Sequence, residues 1–225
     1  MTQEDWVAMT VTVQLAALTS AILLAACLPL AWRLSRSQSR WRPVIEAVLA
    51  LPLVLPPTVL GFYLLVLLNP DAFLGGLWFT LTGDALTFTF SGLVIASVIY
   101  SLPFMMQPLL GAFDTIEEET LEAAASLGCG ARERFFAVVL PTSQRAIVAA
   151  SLLTFAHTIG EFGVVLMMGG NIPGETRVIS VVMFEQVETL QYSGAHQLAA
   201  ALLLFSFLLL LLVYGVYRPS RRRAV

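Results

Sequence analysis

Residues Trp6–Trp32 run for 27 positions without an acid or a base, and Leu86–Phe113 and Leu198–Tyr217 are equally free of charge. A helix rises about 1.5 Å per residue, so about 20 apolar residues cross the roughly 30 Å of bilayer hydrocarbon. A soluble core does not need runs of this length. The chain is 58% hydrophobic and 12% charged, about half the charge of an ordinary soluble domain. The expectation is an all-α integral membrane protein.

Five spans are expected, over 6–32, 44–68, 86–113, 146–168 and 198–217, in a single transmembrane domain covering 1–225. Two shorter apolar pieces, Ala72–Leu81 and Val178–Phe184, are too short to cross and read as re-entrant or interfacial helices. Glu4 and Asp5 stand where a secretory signal carries Lys or Arg, so the first run reads as a retained span. Cys27 and Cys129 are isolated, and no CxxC metal or redox pattern exists. His157 and His196 have no metal-ligand spacing, which argues against a membrane enzyme.

All 12 basic residues are arginines. Arg33, Arg36, Arg40 and Arg42 follow the first run, Arg132, Arg134 and Arg145 precede the fourth, and Arg218, Arg221, Arg222 and Arg223 follow the last. With five spans all eleven share one face, and only Arg177 lies opposite. The positive-inside rule then sets the N-terminus outside, the C-terminus in the cytoplasm and segment 114–142 on the cytoplasmic side. Promoting one short piece to a full span would split the arginines between the faces.

That cytoplasmic segment contains EAAASLGCGARERFFAVVLP (Glu122–Pro141). Acidic residues open a strong helix former over Thr115–Ala125, Gly128 and Gly130 end it, and Ala131–Leu140 forms a second helical stretch that Pro141 stops. Leu121, Leu127 and Phe135 are left to be buried. The positions Glu122, Ala123, Ala124, Gly128, Val138, Leu140 and Pro141 resemble the EAA loop of permease subunits of bacterial ABC importers, with Val138 replacing the more usual Ile. The resemblance implies a type I importer permease fold and a coupling helix that docks on a separate ATPase. A helix with a small-residue face suits a groove on a partner.

GEFG at Gly160–Gly163 followed by NIPGETR at Asn171–Arg177, with LPLVLPPTVLGFYLL at Leu51–Leu65, is similar to molybdate importer permeases, with tungstate and sulfate permeases as near relatives. The likeness implies an inner-membrane homodimer, two ATPase copies, an external oxyanion-binding protein and molybdate as cargo. The chain itself is expected to bind no cofactor and no nucleic acid; ATP is used by the partner. A Walker A loop needs a lysine that this chain lacks. An ATP-independent secondary transporter is the rival, but it calls for inverted repeats and several membrane-embedded carboxylates.

Candidate pathway or gate residues are Pro56, Pro57, His157, Glu161 and Arg177. Prolines inside an apolar run free backbone groups and kink a helix. Glu161 falls four residues after His157, which on a continuous helix pairs them, and within reach of water at the outer third of its span. A fixed negative charge repels a dianion, so Glu161 is expected to be a structural or gate-closing group, with Arg177 as a candidate partner. Arg177 is expected to bind Glu175, Glu185 or Glu188 rather than an anion.

Overall fold

The computed structural model describes residues 2–217, and every regular element among them is helical. Arg218, Arg221, Arg222 and Arg223 lie outside the described residues. The first helix, α1 (Gln3–Ser35), opens on a reciprocal cap: Thr2 Oγ1 accepts from the Asp5 N–H at 3.2 Å and Asp5 Oδ2 from the Thr2 N–H at 2.6 Å. These bonds satisfy two N–H groups that a helix start leaves bare. Next come α2 (Arg42–Val54), α3 (Pro57–Leu67), α4 (Phe73–Thr82), α5 (Phe90–Asp114), α6 (Glu118–Ser126) and α7 (Ala131–Arg134). A π-helical turn, Phe135–Val139, leads without interruption into α8 (Leu140–Gly160), followed by α9 (Gly163–Gly169), α10 (Ile179–Glu188) and α11 (Tyr192–Tyr217).

Among the described residues, four helical stretches are long and apolar enough to cross a membrane: Gln3–Ser35, Phe90–Asp114, Ala131–Gly160 and Tyr192–Gly215. The pair α2 and α3 qualifies as a fifth when taken as one broken span, bent by 109°. Pro52 sits within α2 without breaking it, and the bend falls at Leu55 and Pro56. Pro56 supplies no N–H, and its carbonyl restarts the ladder by accepting from Val59 and Leu60.

Two stretches differ from the sequence expectation. Residues 146–168 are not one span, because α8 ends at Gly160 and Glu161 adopts an extended conformation before α9 begins. Pro141 does not stop its helix. The turn before it is widened so that the Leu140 N–H bonds Phe135 O, five residues back, and this wider winding accommodates a residue with no N–H to give.

The fold is organised along α1 and α5, which carry two packed clusters. One gathers Val11 and Leu15 of α1, Leu93 and Ala96 of α5, Leu64 of α3 and Val164 and Met168 of α9. The other gathers Leu23, Cys27 and Ala31 of α1, Met105, Leu109 and Phe113 of α5, and Leu121, Val139 and Ala150 from α6 to α8. By contrast α11 leaves Leu203, Leu204, Phe207, Leu208 and Leu211 exposed, an apolar surface suited to hydrocarbon rather than water.

Close backbone contact fixes the entry of α5. Thr89 caps it by accepting from the Gly92 N–H, and a side chain on Gly92 would place its Cβ 1.9 Å from Leu86 O. Gly111 on the same helix has nothing within 4 Å of that position. Gly92→Ala is expected to lower stability by about 2 kcal/mol through overpacking, whereas Gly111→Ala is expected to raise it by up to about 1 kcal/mol through helix propensity. Thermal unfolding of the two variants in the same detergent checks the contrast.

Candidate functional site

The segment Glu118–Val139 forms an elbow on the end of the molecule where α1 finishes and α5 ends. Glu117 precedes α6 in an extended conformation, and Glu118 and Glu119 fill its first turn, where negative charge complements the bare N–H groups. At the other end, the Cys129 N–H bonds Ala124 O at 3.1 Å and the Gly128 N–H bonds Ala125 O at 2.9 Å. This double closure requires a left-handed residue between them, and Gly128 has φ of +90°. Glu133 then accepts from the Gly130 N–H at 2.9 Å, opening α7.

The elbow has one anchored face and one open face. Leu121 is buried with Phe113, Ile116 and Val139. Glu122, Ala123, Gly128 and Pro141 are exposed, while Ala124, Val138 and Leu140 are half-buried. Leu127 is not covered, at 86% exposure, and Phe136 is more than half exposed. Of the three apolar residues expected to be buried, the fold within the chain takes Leu121 fully and Phe135 partly.

The second candidate region lies where the two helix breaks meet. A Cβ on Gly163 would come within 2.8 Å of Pro57 Cβ, and one on Gly61 within 2.8 Å of Met167 Cβ. The glycines therefore let α3 and α9 touch along their length, and the Leu55–Pro56 and Glu161–Phe162 breaks sit side by side. Pro56, Pro57 and Glu161 are thus brought together. His157 is held elsewhere: its Nδ1 is 3.0 Å from Ser101 Oγ, its ring stacks on Phe104 at 3.7 Å, and Ser101 Oγ also meets Thr158 Oγ1 at 3.0 Å. The expected i, i+4 pairing with Glu161 does not form, because α8 has ended before residue 161.

A backbone carbonyl freed at the second break is satisfied from α10, whose own first N–H is met in turn by α1. Ser180 Oγ donates to Glu161 O at 2.6 Å, and the Ile179 N–H donates to Thr12 Oγ1 at 2.9 Å. The end of α9 is closed similarly, with Thr176 Oγ1 donating to Gly169 O at 2.6 Å and the Phe88 N–H to Met168 O at 2.9 Å. The Glu161 side chain is only 4% exposed rather than reaching water, and it faces the buried Ser97 hydroxyl without a hydrogen bond of ordinary geometry. Arg177 does not reach it. That guanidinium pairs with Glu185 and, at 3.5 Å, with Glu4, so the expected ion pair with Glu185 forms and the gate pairing does not.

Sequence reasoning passed over Trp32, Arg36 and Arg42, which bind the elbow's stem. Arg42 is bonded at 2.6 Å to both Glu46 and Asp114. A guanidinium is charged at any workable pH, so both contacts are ion pairs. A clustering of arginines just after the first span was the available signal, but it gave no partner.

Glu161 carries no bonded charge to lose, so Glu161→Gln is expected to leave stability within about 1 kcal/mol of the parent. Glu161→Lys buries an unpaired ammonium and is expected to cost more than about 3 kcal/mol. Unfolding midpoints in detergent decide; a large loss in the glutamine variant would show that the carboxyl group holds a charge-dependent contact.

Comparison with known proteins places these features in a family. The model described as "Binding-protein-dependent transport system inner membrane component" matches residues 16–224. The molybdenum transport system permease protein ModB of Azotobacter vinelandii is 50% identical over 97% of this chain and 96% of its own. ModB of Escherichia coli K12 is 32% identical over 100% and 98%. The E. coli sulfate transport system permease protein CysT is 32% identical over 87% of this chain and 70% of its own. Among solved structures, a bacterial alginate ABC transporter in complex with an alginate-pentasaccharide-bound periplasmic protein aligns at a TM-score of 0.71 and 17% identity, covering 99% of this chain and 80% of that one, a likeness of fold. The chain belongs to the family of inner membrane components of binding-protein-dependent transport systems.

Proposed function

We propose that this chain is the membrane-spanning subunit of an ATP-driven importer that brings molybdate, and tungstate with it, into the cytoplasm. The observation that carries the reading is the 50% identity, over nearly the whole of both chains, to a protein named for molybdenum transport. The sulfate permease likeness is lower and covers less of its relative, which makes sulfate the second choice of cargo. Two copies of the chain form the pathway, two copies of a separate ATPase drive it, and an external binding protein delivers the anion.

The elbow is the ATPase docking element in this reading. Its residues are Glu122, Ala123, Ala124, Gly128, Val138, Leu140 and Pro141, and its support is an open face of small side chains beside uncovered Leu127 and Phe136. Docking of the elbow on a cytoplasmic ATPase puts that face in the cytoplasm and the N-terminus outside, in keeping with the arginine distribution. The paired breaks around Pro56, Pro57 and Glu161 form the gate region. No cluster of cationic donors converges there among the described residues, which favours rapid passage of an oxyanion over tight storage.

Reconstitution with the ATPase and binding protein tests the cargo. Molybdate is expected to stimulate ATP hydrolysis and to accumulate inside liposomes, with tungstate competing and sulfate much weaker; equal or greater stimulation by sulfate overturns the assignment. Docking is tested separately. Gly128→Val forces a β-branched residue to a positive φ at about 1–2 kcal/mol, and Glu122→Lys inverts a charge on the open face. Both are expected to reduce co-purification of the ATPase while membrane insertion persists, and undiminished co-purification removes the elbow from that role.

A further inference from the structure

We propose that Trp32 and Arg36 at the end of α1 form the joint through which movement of the elbow reaches the spans; the proposal rests on the reading of the elbow as an ATPase docking element. An elbow held only by its own chain ends would be free to swing. Here both stems are gripped by one helix that is remote in sequence.

The incoming stem is the end of α5. Arg36 Nη2 donates to Phe113 O at 2.8 Å and to Ile116 O at 2.9 Å, carbonyls at a helix end and its turn with acceptor capacity to spare; Phe113 O also accepts from the Ile116 N–H at 3.3 Å. Bonds from a guanidinium are charge-assisted, and they bear on the residues immediately before α6. Trp32 lies edge-on to Phe113 with ring centroids 5.9 Å apart, and the Arg36 guanidinium sits 4.9 Å over the Trp32 ring. The outgoing stem is the π-helical turn. Its Phe135 packs against the same indole at 6.0 Å.

The Trp32 indole thus touches both sides of the elbow, the Arg36 guanidinium ties its incoming side to that indole, and Leu121 from its middle enters the same buried cluster as Leu34 and Ile116. A displacement of α6 therefore loads α1 as well as α5 and α8. Because α1 packs along α5 from Leu15 to Leu34, the load enters the two rods that flank the broken spans. Arg42, tied to Asp114 and to Ser35 O at 3.2 Å, carries the same connection to the start of α2. Trp32 and Arg36 are positioning residues: neither touches cargo or nucleotide.

The test is the ratio of molybdate taken up to ATP hydrolysed by the complete transporter in liposomes. Arg36→Ala is expected to co-purify with the ATPase at the parental ratio and to hydrolyse ATP within about twofold of the parent, while molybdate moved per ATP falls about tenfold. Arg36→Lys, which keeps a charged donor for both carbonyls, is expected to recover most of that ratio. Arg40→Ala removes the same charge from an exposed side chain stacked on Trp41 and is expected to change nothing. A parental ratio in Arg36→Ala, or uptake and co-purification lost together, overturns the joint. Absence of ATPase binding by the parent chain overturns instead the docking reading beneath it. If Arg36→Ala does not accumulate in the membrane, Trp32→Phe decides: it keeps an aromatic contact but shortens its reach, and a ratio down about threefold supports the joint, while an unchanged ratio overturns it.

Discussion

Every backbone N–H and C=O that leaves a helix within hydrocarbon must find a partner in the protein, because an orphan costs several kcal/mol. This requirement governs the chain more strongly than any single packing contact. Two apolar stretches are broken at depth, at Leu55–Pro56 and at Glu161–Phe162, and neither break is left bare. Pro56 restarts the ladder through its own carbonyl. At the second break Ser180 takes Glu161 O, while Thr176 closes the far end of α9 and Thr12 takes the first N–H of α10. The short helices α9 and α10, unable to span by themselves, exist because side-chain hydroxyls from neighbouring elements complete their ends.

The same accounting explains where the chain is glycine-rich. Gly61 and Gly163 have no side chain because α3 and α9 lie in contact across the breaks. Larger residues would separate the two helices and open the freed carbonyls to lipid. Close approach and backbone satisfaction are therefore one design, and they set two interrupted rods side by side in a bundle otherwise built from long, continuous ones. A pair of interruptions is where a small rotation changes shape without unwinding a whole helix.

The long runs and the elbow were legible in the sequence for a simple reason. Both are written in adjacent residues: hydropathy over about 20 positions, and Glu122 to Pro141 in one continuous stretch. The end of α8 was harder. Glu161 lies between two apolar stretches, so a hydropathy reading runs straight through it, although the flanking Gly160 and Gly163 were a local sign of a break. Pro141 misled because its effect depends on the turn before it, and a π-helical turn leaves no composition signature. Arg36 bonds carbonyls 77 and 80 residues away, contacts that leave no local pattern in the sequence.

Charge placement unites these levels. Arg33, Arg36, Arg40 and Arg42 count together in setting topology, yet their physical roles diverge once the chain is folded. Arg36 spends its donors on helix-end carbonyls, Arg42 on two carboxylates, and Arg40 lies over Trp41 in an exposed position. The positive-inside rule needs only their sum. Mechanical linkage needs each donor aimed at a particular acceptor, and a guanidinium with five fixed donors can serve both requirements where an ammonium serves mainly the first. That difference is a physical rationale for a membrane chain whose basic residues are all arginine.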